Sequence, residues 1–272
     1  MIQYPDINPV ALQIGPLKLH WYALMYLFGY FIGGSLLFKR IKKLQLSWTK
    51  SQLENLTLYV GIGCILGGRI GYVLFYDLPY YVSDPLNIFK IWQGGMSYHG
   101  GLIGVLISIG IYSKLHKRSY FSIADLIAPV IPIGLAAGRI GNFINGRLFG
   151  KITDVPWGMV FPDGGPYVRH PSQLYEFLTE GVLLFIILWV YSSKPRKPMK
   201  TSALFLIGYS VFRIFCEFFR QPDPQIGYIA FGWLTMGQIL CIPMILAGFV
   251  LIYLSRNKAP SLCGEKSIKN NI

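Results

Sequence analysis

Arginine and asparagine are concentrated between Gly138 and Gly150, directly after an apolar run. This segment contains Arg139, Asn142 and Asn145 together with four glycines. It makes a poor lipid-facing helix, because each polar side chain is costly to place in hydrocarbon and each glycine destabilises a helix. A guanidinium group can bind a phosphate through two parallel donors. The segment therefore predicts an interior polar site for an anionic ligand.

A second polar group lies at the end of a later apolar run. Arg213, Glu217 and Arg220 are separated by four and three residues, which places them on one face of a helix. One interpretation is a salt-bridge ladder within that helix. The alternative is that Glu217 orients two guanidinium groups toward an anionic ligand.

His99 and Tyr22 are candidates for proton transfer and lipid contact. His99 lies in a glycine-rich segment near the predicted outer end of a helix, where an imidazole that titrates near neutrality can take a proton. A structural hydrogen bond is the alternative for His99. Tyr22 follows a Trp near the predicted outer surface, where it can bind a lipid head group or belong to an aromatic belt.

Polar residues also recur at helical spacing after His170. Gln173, Glu176 and Glu180 fall on one helix face, so we expect that face to be interior. Ser172 directly precedes them and is predicted to cap the helix.

Arg69 and Asp125 are isolated charges within apolar runs. A charge at the centre of a spanning helix costs about 2.5–3.5 kcal/mol on insertion scales. We therefore expect Arg69 to extend toward the surface or to meet a carboxylate or a phosphate. The glycines around it predict a close approach between helices. For Asp125 we expect a structural role, as a cap or in an ion pair.

The elements that must position these residues are membrane-spanning helices. Of 272 residues, 53% are hydrophobic and only 14% are charged, which is typical of a polytopic membrane protein. We predict an all-α fold that forms a single integral membrane domain over residues 1–272, with an outer segment at 146–172 and a basic cytoplasmic tail at 255–272. Spans of about 20 residues are predicted near residues 19–38, 55–76, 95–113, 121–143, 173–192, 201–219 and 231–254, seven in all.

The net charge of +13 reflects topology rather than nucleic-acid binding. Sixteen of the 25 basic residues follow the first, third, fifth and seventh predicted spans. This positive-inside pattern predicts an outer N-terminus and a cytoplasmic C-terminus. The polar residues of spans three to six then meet at their outer ends, in an outward-facing cavity. The cysteines have no metal-ligand spacing and predict no disulfide framework; they are Cys64, Cys216, Cys241 and Cys263.

Several motifs together resemble the prolipoprotein diacylglyceryl transferase family. The glycine-arginine-x-glycine-asparagine-phenylalanine-x-asparagine signature is present, and other matches follow in order across nearly the whole chain. The matching segments are His20–Tyr22, Gly67–Tyr72, His99–Gly101, Gly138–Asn145 with Gly150, His170–Glu176, and Arg213–Arg220 continuing into Gln221-Pro222-Asp223.

The resemblance implies a seven-span enzyme of the bacterial inner membrane. Such an enzyme moves the sn-1,2-diacylglyceryl group of phosphatidylglycerol onto the lipobox cysteine of a prolipoprotein and releases glycerol 1-phosphate, with neither a metal nor a nucleotide as cofactor. By carry-over the likeness marks a functional set, namely Tyr22, His99, Arg139, Asn142, Gly150, Arg213 and Glu217. For substrate binding we add to Arg139 and Arg213 the residues Arg69, Asn145, Gly150, Glu176 and Arg220.

Within this set, Arg139 and Arg213 are predicted to hold the phosphate, and His99 is the candidate base. One position departs from the family pattern: Arg147 stands where the signature commonly has glutamate. Either Glu176 or Asp154 supplies an acid nearby, or the position is only supportive. The alternative function is a non-catalytic transporter or flippase of anionic lipids, which requires a charged pathway to the inner side. There the sequence offers mainly Asp125.

Overall fold

The computed structural model describes residues 2–5, 7–15, 17–91, 94–222 and 227–261. The chain divides into two compact units, one formed by residues 1–44 and 125–272 and the other by residues 45–124. The single integral domain proposed for residues 1–272 stays a prediction. Asp223, Cys263 and most of the predicted basic tail lie outside the described residues.

The described residues are mostly helical. A short antiparallel hairpin, β1 (Val10–Ile14) and β2 (Leu17–His20), precedes the first helix and departs from the all-α prediction. The helices are α1 (Trp21–Lys43), α2 (Lys50–Phe75), α3 (Leu78–Ser83), α4 (Tyr98–Leu115), α5 (Tyr120–Ile127), α6 (Ile131–Ile144), α7 (Ser172–Glu176), α8 (Leu184–Tyr191), α9 (Lys200–Glu217) and α10 (Met236–Leu254). A π-helical segment, Phe177–Leu183, joins α7 to α8.

Five helical segments of the described chain are long and apolar enough to cross a membrane: Trp21–Lys43, Lys50–Phe75, Tyr120–Ile144, Ser172–Tyr191 and Met236–Leu254. The multi-pass membrane class is therefore confirmed. The spans predicted near 95–113 and 201–219 are helices α4 and α9, but they are not among the five. Both have 18 residues, so they differ from the five in hydropathy and charge rather than in length: α4 begins with Tyr98, His99 and two glycines, and α9 carries Lys200, Arg213 and Glu217. The count of seven spans stays a prediction.

Prolines shape the segment that leads to the polar stretch, Gly138–Gly150. Pro129 lies in a 3₁₀ turn, Ala128–Val130, and Pro132 lies in the first turn of α6. Proline has no N–H for the helix ladder but is tolerated in a first turn, where that N–H has no intrahelical partner. The prolines thus separate α5 from α6, and α6 begins afresh before the polar residues.

Within the larger unit, α1 packs closely on α6. A Cβ atom added at Gly29 would lie 3.1 Å from the Cβ atom of Ala137 and 3.2 Å from the Cα atom of Gly134.

Asp125 fixes the start of α9, because its carboxylate accepts hydrogen bonds from the backbone N–H groups of Met199 at 2.7 Å and Ser202 at 2.8 Å. The structural role predicted for Asp125 is confirmed.

The start of α10 is capped reciprocally. The hydroxyl of Thr235 accepts a hydrogen bond from the backbone N–H of Gln238 at 3.3 Å, and the Gln238 side chain accepts one from the N–H of Thr235 at 3.0 Å. This capping box satisfies two N–H groups that the helix itself leaves unpaired.

In the smaller unit, glycines bring α2 and α4 into backbone contact. A Cβ atom added at Gly67 would lie 2.3 Å from the carbonyl oxygen of Gly100, and one added at Gly104 would lie 2.0 Å from that of Gly63. Any larger side chain would force the helices apart. The close approach predicted from the glycine spacing is confirmed.

The segment at 146–172 is mostly irregular. Isolated antiparallel bridges pair Ile152 and Met159 with Arg169, and a parallel bridge pairs Met159 with Ile2. The guanidinium group of Arg169 donates to the carbonyl oxygens of Gly164 at 2.9 Å and Gly150 at 3.3 Å. These bonds tie the segment together without a regular sheet.

Candidate active site

Arg139 is presented by the face of α6 that does not contact α1. The glycine side of this helix packs against α1: a Cβ atom added at Gly141 would lie 3.0 Å from the Tyr22 ring, and one at Gly138 would lie 3.5 Å from the Tyr26 hydroxyl. Another side of α6 packs against the π-helical segment. A Cβ atom added at Gly181 of that segment would lie 2.6 Å from the Cβ atom of Ala136. Arg139 therefore extends toward α7 and the π-helical segment.

Glu176 lies between two arginines from different helices. One of its carboxylate oxygens is 2.8 Å from Nε of Arg139, and the other is 2.6 Å from Nη1 of Arg213. Glu180 also contacts both, at 3.3 Å from Nη2 of Arg139 and 3.6 Å from Nη1 of Arg213. The two arginines predicted to hold phosphate are therefore neighbours that share two carboxylates.

Glu217 extends this group along α9. It pairs with Nη2 of Arg213, and its Oε1 atom is 3.7 Å from Nη1 of Arg220. The hydroxyl of Thr235 donates to its Oε2 atom at 2.8 Å. The salt-bridge ladder considered for α9 is present, and Arg213 is in addition bound across helices by Glu176. We call the whole set the arginine–glutamate cluster: Arg139, Glu176, Glu180, Arg213, Glu217 and Arg220.

The formal charges of the cluster balance, with three arginines and three glutamates. Glu176 and Glu180 have no exposed surface, whereas the side chains of Arg139 and Arg213 remain 16% and 10% exposed. Breaking a buried pair by removing one partner costs about 3–5 kcal/mol. The two carboxylates are thus fully buried, and the side chains of the two arginines form the accessible side of the cluster.

Both arginines retain unused donors on the accessible side. Within the described ranges, neither Nη1 of Arg139 nor Nε of Arg213 has a hydrogen bond or an ion pair. A guanidinium group carries five N–H donors, and a phosphate oxygen is a strong acceptor for them. The cluster can therefore accept an anion without first losing all of its internal bonds.

The polar stretch after Arg139 is fastened to α7 through its backbone. Gln173 donates from its side chain to the carbonyl oxygen of Arg147 at 2.7 Å, and Ser172 donates to that of Leu148 at 3.1 Å. The prediction that Ser172 caps α7 is therefore wrong, because its hydroxyl binds another segment and Pro171 occupies the cap position. Asn145 has a buried side-chain oxygen without a hydrogen-bond partner among the described residues.

Arg147 lies outside the cluster. Its side chain is exposed, and it forms no ion pair with a described residue. Of the two acids that the sequence suggested as replacements for the missing glutamate, Glu176 lies in the cluster, whereas Asp154 lies in the irregular segment.

Gly150 allows three backbone segments to meet. Its N–H donates to the carbonyl oxygen of His170 at 2.8 Å, and it forms an antiparallel bridge with Arg220. A Cβ atom added at Gly150 would lie 2.5 Å from the Cβ atom of His170 and 2.6 Å from the carbonyl oxygens of both His170 and Phe219. The described contacts of Gly150 thus place the end of α9 against the segment that enters α7.

Three other predicted site residues form none of the ion pairs or hydrogen bonds described above. Tyr22 is 37% exposed, and its hydroxyl is 2.9 Å from that of Tyr26. Asn142 lies on α6, one turn after Gly138. His99 is the second residue of α4, is exposed, and belongs to the smaller unit, so its role as a base stays a prediction.

Arg69 binds backbone carbonyl groups of its own unit. Nε donates to Ile88 at 2.8 Å, and Nη1 donates to Gly94 at 2.6 Å and to Gly95 at 3.1 Å. Nη2 donates to Asn87 at 2.6 Å and to Lys90 at 3.4 Å. These contacts use all five guanidinium donors. They explain how the charge is buried, and none of them supports the substrate-binding role predicted for Arg69.

Glu180 is the cluster residue that the sequence interpretation did not select for the site. Its spacing from Glu176 indicated the interior face, which is confirmed because both residues are fully buried. In the described part of the chain, no group of three or more His, Cys, Asp or Glu side chains is placed to hold a metal ion. The absence of a cofactor stays a prediction.

These features define a multi-pass membrane protein with a buried, charge-balanced cluster that offers guanidinium donors to an anion. A family model described as prolipoprotein diacylglyceryl transferase matches residues 9–254. The chain belongs to this family, and the resemblance seen in its motifs is confirmed.

Curated relatives match over almost their whole length. A phosphatidylglycerol–prolipoprotein diacylglyceryl transferase of Pseudomonas paraeruginosa is 58% identical over 254 residues, covering 93% of this chain and 95% of the relative. One of the same name from Legionella pneumophila strain Lens is 54% identical over 256 residues, covering 94% of this chain and 100% of the relative.

Proposed function

We propose that this protein transfers the sn-1,2-diacylglyceryl group of phosphatidylglycerol to the lipobox cysteine thiol of prolipoproteins. The reaction forms a thioether and releases glycerol 1-phosphate, as the first step of lipoprotein maturation. The observation that carries the proposal is the pair Arg139 and Arg213, which share Glu176 and keep free donors on their accessible side. The family membership and the names of the relatives support the same substrates.

The two guanidinium groups act on the phosphate of phosphatidylglycerol. The cysteine sulfur attacks the glyceryl carbon, the carbon–oxygen bond to the phosphate breaks, and its electron pair stays on the departing phosphate oxygen. Arg139 and Arg213 stabilise the charge that grows there, because donors already fixed in place need little reorganisation. Glu176 and Glu217 orient the arginines, and Arg220 is held through Glu217.

The thiol needs to lose its proton before or during the attack. A free cysteine has a pKa of about 8.5, so a nearby base or a positive environment raises the thiolate fraction. In this proposal His99 is the base, and Tyr22 contacts the lipid head group. Asn142, Asn145 and Gly150 build the wall that carries Arg139, and Gly150 does so by close packing.

The proposal includes the topology of the chain in the membrane. Seven spans, with α4 and α9 included, place the N-terminus outside and the C-terminus in the cytoplasm. The cavity then opens on the outer side of the bacterial inner membrane, where secreted precursors emerge. The positive-inside distribution of lysine and arginine supports this orientation.

The transporter alternative is not favoured by any described contact. It requires a charged pathway toward the inner side, where the sequence offers mainly Asp125. The carboxylate of Asp125 is occupied by Met199 and Ser202, which it caps at the start of α9. Asp125 therefore serves the fold.

The test uses purified protein, phosphatidylglycerol vesicles and a synthetic lipobox peptide, with mass spectrometry of the peptide. We expect a diacylglyceryl adduct on the cysteine peptide and none on a peptide with serine in its place. Arg139→Ala should suppress the adduct by at least about 100-fold, the scale of removing one donor from a charge-stabilising site. Arg256→Ala, at an exposed arginine beside Tyr253, is the matched control and should keep the wild-type rate. No adduct with the wild-type protein, while a verified family member reacts, would refute the proposal.

A further inference from the structure

Glu180 owes its position to an unusual helical segment. The π-helical turn Phe177–Leu183 begins directly after Glu176 and contains Glu180. Gly181, the next residue, lies so close to Ala136 of α6 that an added Cβ atom would be 2.6 Å from the Ala136 Cβ atom. Single π-helical turns are rare and are often found at functional sites. The turn and the glycine together bring the Glu180 carboxylate to Arg139, three residues along α6.

The bonds of Glu180 are looser than those of Glu176. Glu176 is 2.8 Å from Arg139 and 2.6 Å from Arg213, whereas the corresponding distances for Glu180 are 3.3 Å and 3.6 Å. Like Oε2 of Glu176, its Oε1 atom is buried and has no hydrogen-bond partner among the described residues, so the longer ion-pair distances are what distinguish Glu180. A fully buried carboxylate oxygen in this state is poorly satisfied for a native structure. Glu180 is thus the acid in the cluster that the two arginines can release most easily.

A bound phosphate changes the charge balance that Glu180 completes. Three arginines face three glutamates before substrate binds, so an additional anion leaves the cluster with excess negative charge. The phosphate and Glu180 must then compete for the same guanidinium groups. Charges in partly buried surroundings interact more strongly than in water, so this competition lowers the affinity of the site for the phosphate.

We propose that Glu180 is a positioning residue that acts as the displaceable counter-anion of Arg139 and Arg213. It holds the two guanidinium groups at the spacing for phosphate while the site is empty, and it weakens their grip on the phosphate once substrate or product is bound. This inference rests on the proposed function, because it assumes that these arginines bind the phosphate of phosphatidylglycerol and of the product.

Glu180→Gln tests the inference, since it keeps the size of the side chain and removes its charge. The probe is sn-glycerol 1-phosphate, added as a soluble product inhibitor of the transfer reaction. We expect its inhibition constant to fall about tenfold, and the KM for phosphatidylglycerol to fall with it, because a negative charge beside the phosphate has been removed. The kcat should fall as well, because the product leaves more slowly. A residue needed only for folding would lower the amount of active protein and would leave these constants unchanged.

Two further variants keep the test decisive. Glu180→Asp retains the charge but draws it back from the arginines, so the inhibition constant should fall about threefold; this variant decides the matter if Glu180→Gln is not recovered as folded protein. Glu54→Gln is the matched control, at an exposed glutamate paired with Lys50, and should change neither constant. An inhibition constant that is unchanged or higher in the Glu180 variants would overturn the inference. A wild-type protein that forms no adduct would instead overturn the proposed function.

Discussion

Replacing Gly150 by alanine tests whether this residue serves the site by close packing. The added Cβ atom would lie 2.5 Å from the Cβ atom of His170 and 2.6 Å from the carbonyl oxygens of His170 and Phe219. Ordinary van der Waals contact begins near 3.4 Å, so the segments must separate by about 1 Å. Overpacking of this kind costs about 1–3 kcal/mol, and we expect the upper end because two of the three contacts are backbone atoms.

The displacement should reach the chemistry, because Arg220 is bridged to Gly150, and the segment after His170 leads into α7, which ends at Glu176. A shift of about 1 Å in a positioned group can lower a rate about 100-fold. The assays are thermal unfolding in detergent and transfer to the lipobox peptide. Gly134→Ala is the matched control: an added Cβ atom there meets nothing within 4 Å, so it should stabilise α6 by about 0.5–1 kcal/mol.

The result that would refute this reasoning is a Gly150→Ala protein with the wild-type melting temperature and rate. A variant that loses its rate while its melting temperature is unchanged would also count against close packing, because it would indicate direct contact between Gly150 and a ligand.

Two further predictions concern stability. Asp125→Asn should lower the free energy of unfolding by about 3 kcal/mol, because the α9 cap loses a charged acceptor. Thermal unfolding measures this change. Asp163→Asn, at an exposed position, is the control and should leave the melting temperature nearly unchanged. Burial lowers the pKa of His170 from its usual 6.5, so the unfolded chain binds the proton more readily. The contribution of the neutral His170 to the free energy of unfolding is therefore complete above pH 6.5 and is lost as the pH falls below that value. His170→Asn should flatten the melting profile over that acidic range, and an unchanged slope would contradict the assignment.

Periodicity predicted the members of the cluster better than their bonds. The spacing of Gln173, Glu176 and Glu180 correctly indicated one buried face, because residues three and four apart share a side of a helix. The spacing of Arg213 and Glu217 likewise indicated their ion pair. The bond between Arg213 and Glu176 depends on how two helices pack, which periodicity within one helix does not contain.

Features that depend on backbone geometry were beyond the reach of composition and spacing. Arg69 binds five carbonyl groups of a loop, and a sequence does not reveal where carbonyl oxygens point. The π-helical turn around Glu180 has no residue signature that separates it from an α-helix. The hydroxyl of Ser172 does not cap α7 but donates to the carbonyl oxygen of Leu148, because the chain before α7 folds back on the polar stretch.

Thr235 links the cluster to the order in which the chain is made. Its hydroxyl both caps α10 and donates to Glu217, and a Cβ atom added at Gly237 would lie 2.6 Å from Oε1 of the same carboxylate. Synthesis proceeds from the N-terminus, so every arginine and glutamate of the cluster leaves the ribosome before this partner does. A nascent chain that ends before Thr235 therefore contains all the charges of the cluster, yet Glu217 lacks the donor that binds its Oε2 atom. Assembly of the charged cluster is completed only when the beginning of α10 has folded beside α9.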